Sequence, residues 1–315
     1  MLPVPSVYQA AYARWRNTVI ETETIAFWAG RIDGRMFLGL GGASVLETAI
    51  TLGKTYGVPF IPGSAQKGLA SAYAKAAGID KQHRDILFGK VGNLPEQFES
   101  GAVLFHDAWW IPGSSDTPLA QEIVTVHHPE YYKGGEKDAT DFDSPEPNVQ
   151  IAARGSFLFT VECGEPKWAE FARDILSEAL KHWGIGGKTA AGYGYFVPDT
   201  RRHSELEGER HEWRQRRERA AEEARRAAMA PEELAIQELR QLFEKEKKSG
   251  NPNPSGPLSD KRTELLRTAL TWESPHWRGQ AADLIEETAK FLPWSKKSRD
   301  QRRAEIAQLR KPPVT

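Results

Sequence analysis

The sequence predicts an α+β protein: a β-α-β-β-α-β domain over residues 1–200, followed by an all-helical appendage over 201–315. Three observations carry this. Alternating apolar segments and helix-periodic segments succeed one another in that order up to Val197. A stretch rich in Pro, Gly, Asp and His, about 108–150, interrupts the series between the second and third core strands. Beyond residue 200 the strand signals stop and charged helical runs replace them. The strand and helix order is that of the ferredoxin-like, or split βαβ, unit, which is also the topology of RNA-recognition motifs.

Taken in order, MLPVPSVYQAAYARWRNTV reads as an amphipathic helix without the apolar core of a secretory signal. Thr24 to Leu40 is expected to form two short strands around the Asp33-Gly34 turn, broken by Gly39, Gly41 and Gly42. Glu47 to Phe60 alternates as a hairpin. Pro62-Gly63 makes a turn, Ser64 is the expected N-cap, and the helix it opens ends at Gly78. Asp80 caps a second helix through Phe88, and Ala102–Phe105 reads as a buried strand. Within the insertion one strand is expected, at Glu122–Val126. Ser156–Glu162 alternates as a strand. Pro166 opens a helix with Trp168, Phe171, Ile175, Ala179 and Leu180 on its apolar face, and Tyr193–Val197 is the last strand. The appendage reads as a charged helical extension over 201–248, with Pro231 restarting the helix and Leu234, Leu239, Leu242 and Phe243 as a stripe. A Pro/Gly/Ser/Asn linker follows over 249–257, then helical pieces near 259–270, 278–291 and 296–310 in a C-terminal region over 258–315.

Composition narrows the function classes. A single cysteine, Cys163, excludes an internal disulfide framework and a cysteine-based zinc site. The absence of a long apolar run argues for a cytoplasmic protein without a membrane partner. Residues 1–200 carry 17 Lys and Arg against 23 Asp and Glu, whereas residues 201–315 carry 25 against 20. The first part therefore does not grip nucleic acid through bulk charge. Any RNA contact there rests on a few placed lysines and backbone amides.

One segment has that character: GIGGKTAAGYGYF, Gly184 to Phe196. It contains Gly187-Lys188-Thr189, yet the first glycine of a Walker A loop falls on His182, and a helix enters where a strand should. ATP binding fails on both pattern and context. Gly184, Gly186, Gly187, Gly192 and Gly194 instead permit positive φ and bare amides that approach a phosphodiester. Lys188 adds a point charge and Thr189 a hydroxyl donor, and Tyr193 is counted with the loop's RNA-binding residues. A glycine-rich helix C-cap accounts for one or two of these glycines. IPGSAQKG offers a second candidate, with Gly63 and Ser64 at a helix N-terminus and Lys67 one turn in. Its plainer reading is an ordinary turn with a solvated lysine.

IPGS-x-x-KG and GIG-x-KT-x-x-GYG-x-F together resemble the RAMP superfamily of CRISPR-associated proteins. YGVPFIPGS, LFG followed by AVLFHDAWW, and EIVTVHHPEYYKG with DFDSPEPN resemble the branch that supplies the sixth RAMP subunit of type III-B Cmr effector complexes. The resemblance covers about residues 35–198. It implies a ferredoxin-like RAMP domain with a thumb-like insertion, the glycine loop on CRISPR guide RNA near its 3′ end, and no cofactor, metal or catalytic role. The implied partners are the guide, target RNA by proximity, neighbouring RAMP subunits and the small helical subunit of the complex. Tyr131 and Tyr132 of the insertion would either stack on bases or pack the insertion onto the sheet; Trp109 and Trp110 read better as packing.

Catalysis has one candidate cluster: His106-Asp107, His127-His128, and Asp141 with Asp143. Adjacent histidines on a strand face opposite sides, no ligand spacing is present, and the aspartates read as turn residues. Two alternatives stay open at this point. One is a metal-independent RAMP endoribonuclease that processes guide precursor, and the other is a subunit that mainly docks proteins through its arginine-rich helices.

Overall fold

The structure is a computed structural model that describes residues 4–40, 49–90, 99–128, 131, 138, 140–141, 143–250 and 253–312. Its chain divides into two compact units, Met1–Arg214 and Gln215–Thr315. Among the described residues no helix is long and apolar enough to cross a membrane.

The first unit is built on an antiparallel sheet. Its central strand, β1 (Ile25–Ile32), is buried at every position but Arg31. β1 lies between β10 (Phe196–Pro198) and β9 (Ser156–Glu162). On the far side of β9 run two short strands, β5 (Leu104–Phe105) and β6 (Ala108–Trp110), and β6 pairs with β2 (Phe60–Ile61). The order is β10-β1-β9-β6-β2. Between β5 and β6, four residue steps on one strand face three on β9, since Phe105 pairs Val161 and Trp109 pairs Leu158. His106 and Asp107 therefore occupy a β-bulge.

Helices α2 (Gly63–Ala76) and α4 (Pro166–His182) pack on one another and on these strands, while α1 (Ser6–Glu21) and α3 (Lys81–Phe88) complete the helical cover. β3 (Gly89–Lys90) and β4 (Glu99–Ser100) form a small separate pair. Asp80 caps α3 as expected, accepting from the His83 amide at 3.0 Å. Of the expected apolar face of α4, Ile175, Ala179 and Leu180 are buried, Trp168 is half-buried and Phe171 is exposed, while Ala169, Ala172 and Leu176 join the buried side.

Three strand expectations need correction. Past Gly34 no second strand forms; Met36 and Phe37 instead make single bridges to Ala153 and Gly187. The expected hairpin before Phe60 reduces, within the described residues, to one bridge between Leu52 and Pro59; Gly41, Gly42 and Glu47 lie outside those residues. The insertion holds a two-stranded ladder, β7 (Leu119–Val126) with β8 (Glu146–Ala153), and not a lone strand. Eight paired residues make it about 25 Å long. Its root is fixed by Arg154, whose Nε donates to Thr117 O at 3.0 Å, and by the Ala153 amide on Met36 O at 2.8 Å.

Helix α5 (Thr200–Ala228) begins in the first unit, where Arg210 donates to Val19 O and lies 4.5 Å over the Phe27 ring. The second unit gathers α6 (Pro231–Ser249), α7 (Pro257–Ala269), α8 (Pro275–Phe291) and α9 (Arg299–Leu309) around Leu239, Phe243, Leu266, Ile285, Ile306 and Leu309. On α6 the buried stripe is Ile236, Leu239 and Phe243, with Leu234 and Leu242 half-buried. Two buried arginines satisfy helix-end carbonyls here. Arg278 donates to Gln308 O at 2.9 Å. Arg262 donates to Leu292 O at 2.6 Å and stacks 3.6 Å from the Trp294 ring centre, and burial lowers its guanidinium pKa to about 10.

Candidate nucleic-acid interface

The glycine loop joins α4 to β10 and is held by backbone bonds at both ends. Ile185 and Gly194 clasp each other, the Ile185 amide donating to Gly194 O at 2.9 Å, and the Gly194 amide donates to Arg35 O at 2.9 Å. The Gly187 amide donates to Phe37 O at 2.9 Å. Several of these glycines are structural requirements. A Cβ at Gly194 would sit 2.0 Å from Ile185 O, and one at Gly186 2.3 Å from Phe37 O, both at positive φ. Gly192 differs: its φ is +90°, and a Cβ there would meet nothing within 4 Å.

Between these clasps the chain lifts into solvent. Lys188 is in the left-handed region at φ 59°, and is the one such non-glycine among the described residues. It opens a 3₁₀ turn, Thr189–Ala191. The amides of Ala191, Gly192 and Tyr193 close back onto Lys188 and Thr189 carbonyls, while those of Lys188, Thr189 and Ala190 find no acceptor among the described residues. Lys188, Ala190, Ala191 and Gly192 are exposed and Thr189 is half-buried. Consecutive unbonded amides beside a left-handed residue and an exposed ammonium are the kinds of donor that a backbone anion nest uses.

Met36–Phe37 ties this loop to the insertion, bridging Gly187 through Phe37 and Ala153 at the root of β8 through Met36. Tyr193 packs its ring 4.6 Å from that of Phe37. Burial, then the nearby Glu122 carboxylate on β7, pushes the Tyr193 hydroxyl above its usual pKa. Tyr193 is thus an anchor between loop and hairpin. No sequence signal pointed to Glu122 or Arg35, whose guanidinium lies 3.7 Å from Glu122.

The second candidate, the start of α2, is differently placed. Ser64 is not the N-cap; that position is Pro62, and the Gly63 amide donates to Asp107 Oδ1 at 2.8 Å. The Ala65 and Gln66 amides turn back to Pro62 O. The chain's own carboxylate from the β-bulge therefore occupies the helix terminus. Gly63 is required by close approach, since a Cβ there would meet Phe105 O at 2.0 Å. Ser64 is exposed and Lys67 half-buried. The sheet order sets the two segments on opposite edges, the loop before β10 and α2 after β2.

The residues of the catalytic candidate are dispersed. His106 bonds Glu162 at 2.9 Å and meets Trp15 edge-on, while Asp107 serves α2. His128 bonds Asp143 at 2.9 Å beyond the end of β7. The bond from His128, then those from Thr140, hold the Asp143 carboxyl below its ordinary pKa. No cluster of three metal-ligating side chains occurs among the described residues. Trp110 is buried and Trp109 stacks on Tyr8 at 5.7 Å, as packing residues. Tyr131 is exposed beyond β7, and Tyr132 lies outside the described residues.

Comparison with known proteins places this architecture. Residues 32–197, more than half of the chain, match the RAMP superfamily, and the chain belongs to it. The CRISPR system Cmr subunit Cmr6 of Pyrococcus furiosus is 28% identical over 225 residues, which cover 53% of this chain and 66% of that relative. The chain thus spans about two thirds of the relative's length. A chain in the cryo-EM structure of the Type III-B Cmr-beta bound to cognate target RNA shares the fold at TM-score 0.50 and 18% identity, covering 63% of this chain and 67% of that one. The crystal structure of Cmr6 from Pyrococcus furiosus aligns at TM-score 0.34 and 25% identity, over 55% of this chain and 97% of the other.

Proposed function

We propose that this chain is a non-catalytic backbone or capping subunit of a type III-B CRISPR effector complex, holding guide RNA near its 3′ end and docking neighbouring RAMP subunits. The observation that carries the reading is Lys188, left-handed and exposed, with the unbonded amides of Lys188, Thr189 and Ala190 beside it. A phosphodiester fits there because short backbone donors and one cation recognise phosphate without reading sequence. The guide's own pairing then supplies sequence choice. We read the β10-β1-β9-β6 order with α2 and α4 as ferredoxin-like, and the β7–β8 ladder as the thumb. Gly63, Ser64 and Lys67 are outer contacts in this account, since Asp107 already fills the helix terminus they were expected to offer.

The test is purification of tagged protein from its native host, with sequencing of co-purified RNA, for wild type and Lys67→Ala/Lys188→Ala. Short RNAs with a common repeat-derived end and varied spacers, lost from the variant while partner proteins stay, is the expected result. Unchanged RNA in the variant makes the loop structural and refutes the reading.

A docking role is favoured by a separate observation. Ile123 and Val149 form a cross-strand pair on the β7–β8 ladder, 61% and 52% exposed. Adjacent exposed aliphatic side chains on this ladder suit contact with another subunit.

A further inference from the structure

The second unit is polarised. Residues 231–289 carry 8 Lys and Arg against 11 Asp and Glu, whereas 290–311 carry 8 against 2. Of those two acids, Glu305 is already paired with Arg302 at 2.8 Å. The charge concentrates on a cleft of about 650 Å³ between α8 and α9. Its rim is Lys290, Arg299, Arg303 and Arg310, and its floor includes Trp294 and Ile306. Arg299 and Arg303, one helical turn apart, share a face of α9. Arg310 is engaged by Asp283 and Glu286 at 2.8 and 2.9 Å. Lys290, Arg299 and Arg303 are exposed and pair with no acid among the described residues.

We infer that this cleft is a second nucleic-acid site, taking the phosphodiester backbone of single-stranded RNA on Lys290, Arg299 and Arg303, with Trp294 as an apolar wall. Three unpaired cations around one cleft repel each other in the free protein, and a polyanion relieves that repulsion. Lys296 and Lys297, between α8 and α9 in the chain, and Lys311, just after α9, add to this exposed basic set. A single nucleotide would neutralise part of it, whereas a strand spans it. The cavity volume is within the range of ligand sites generally, and positively charged open grooves track the backbone of unpaired strands. The cleft is independent of the glycine loop, because every group it uses lies in residues 286–311.

The test is fluorescence anisotropy of the full chain with a labelled short oligouridylate, titrated from about 50 to 200 mM salt, the range over which counterion release dominates. Lys290→Ala/Arg299→Ala/Arg303→Ala should weaken binding at least tenfold at the low-salt end. It should also reduce the slope of log K against log salt by about 2, near 0.7 for each phosphate that is no longer neutralised. Arg299→Lys/Arg303→Lys keeps the charge and should keep the slope, which separates missing cations from a disturbed fold. Lys188→Ala should change the slope by less than about 1. Equal binding by wild type and the triple alanine variant would overturn the inference. So would uridine monophosphate displacing the oligomer at equal phosphate concentration, which marks a pocket for one nucleotide.

Discussion

At Lys188 a single backbone angle allows stability and the proposed RNA contact to be tested apart. A left-handed conformation costs a β-carbon-bearing residue about 1–2 kcal/mol, and Lys188 retains it at φ 59°. Lys188→Gly should therefore leave the protein at least as stable in urea unfolding, while RNA retention falls as in Lys188→Ala. A loss of stability would show that the side chain packs. The glycines separate in the same way. Gly194→Ala places a Cβ against Ile185 O, so it should cost about 2 kcal/mol or more, whereas Gly192→Ala, with open space around it, should cost about 1. Denaturant midpoints decide, and equal costs would contradict the close approach at Gly194. The sequence disclosed that these glycines mattered, but not which were clasps and which faced solvent. Asp107 was harder still: its bond to Gly63 joins residues 44 apart in sequence, and no local pattern reports that.

Asp199 is a buried carboxylate of the first unit that should make its stability depend on acid. Burial pushes its carboxyl up, but bonds from Ser156 at 2.6 Å and from Arg202 prevail and hold it below the ordinary range. A folded pKa below the unfolded one means the stabilisation is complete above the unfolded value, near 4, and is lost as pH falls through the folded value. Asp199→Asn should cost about 2 kcal/mol at pH 7, and the gap from wild type should shrink in acid. A gap that widens in acid would reverse the assignment.

At the scale of elements, β1 and β9 were legible as short apolar runs, which the sheet buries at nearly every position. Strand β8 was not, since Glu146-Pro147-Asn148 carries turn residues and becomes a strand through pairing with β7. Nor was β6, a three-residue strand set by a bulge. The β7–β8 ladder yields its own prediction. Ile123→Lys/Val149→Lys alters exposed positions and should shift stability by under about 0.5 kcal/mol, yet reduce recovery of partner subunits in a pull-down. Undiminished recovery would remove the ladder from the docking surface.

For the whole molecule, the charge asymmetry between the two parts was plain in the composition, and its location within the second unit needed the fold. Residues 215–228 of α5 are exposed throughout, so trypsin should cut first among Arg216, Arg217, Arg219, Arg225 and Arg226, leaving two resistant fragments. The most direct measurement of the central claim is ultraviolet cross-linking of the host-purified complex, with mass spectrometry of RNA-modified peptides. The account predicts guide nucleotides on the peptide that contains Thr189 to Tyr193. Guide cross-links found elsewhere on this chain, with that peptide unmodified, would contradict it.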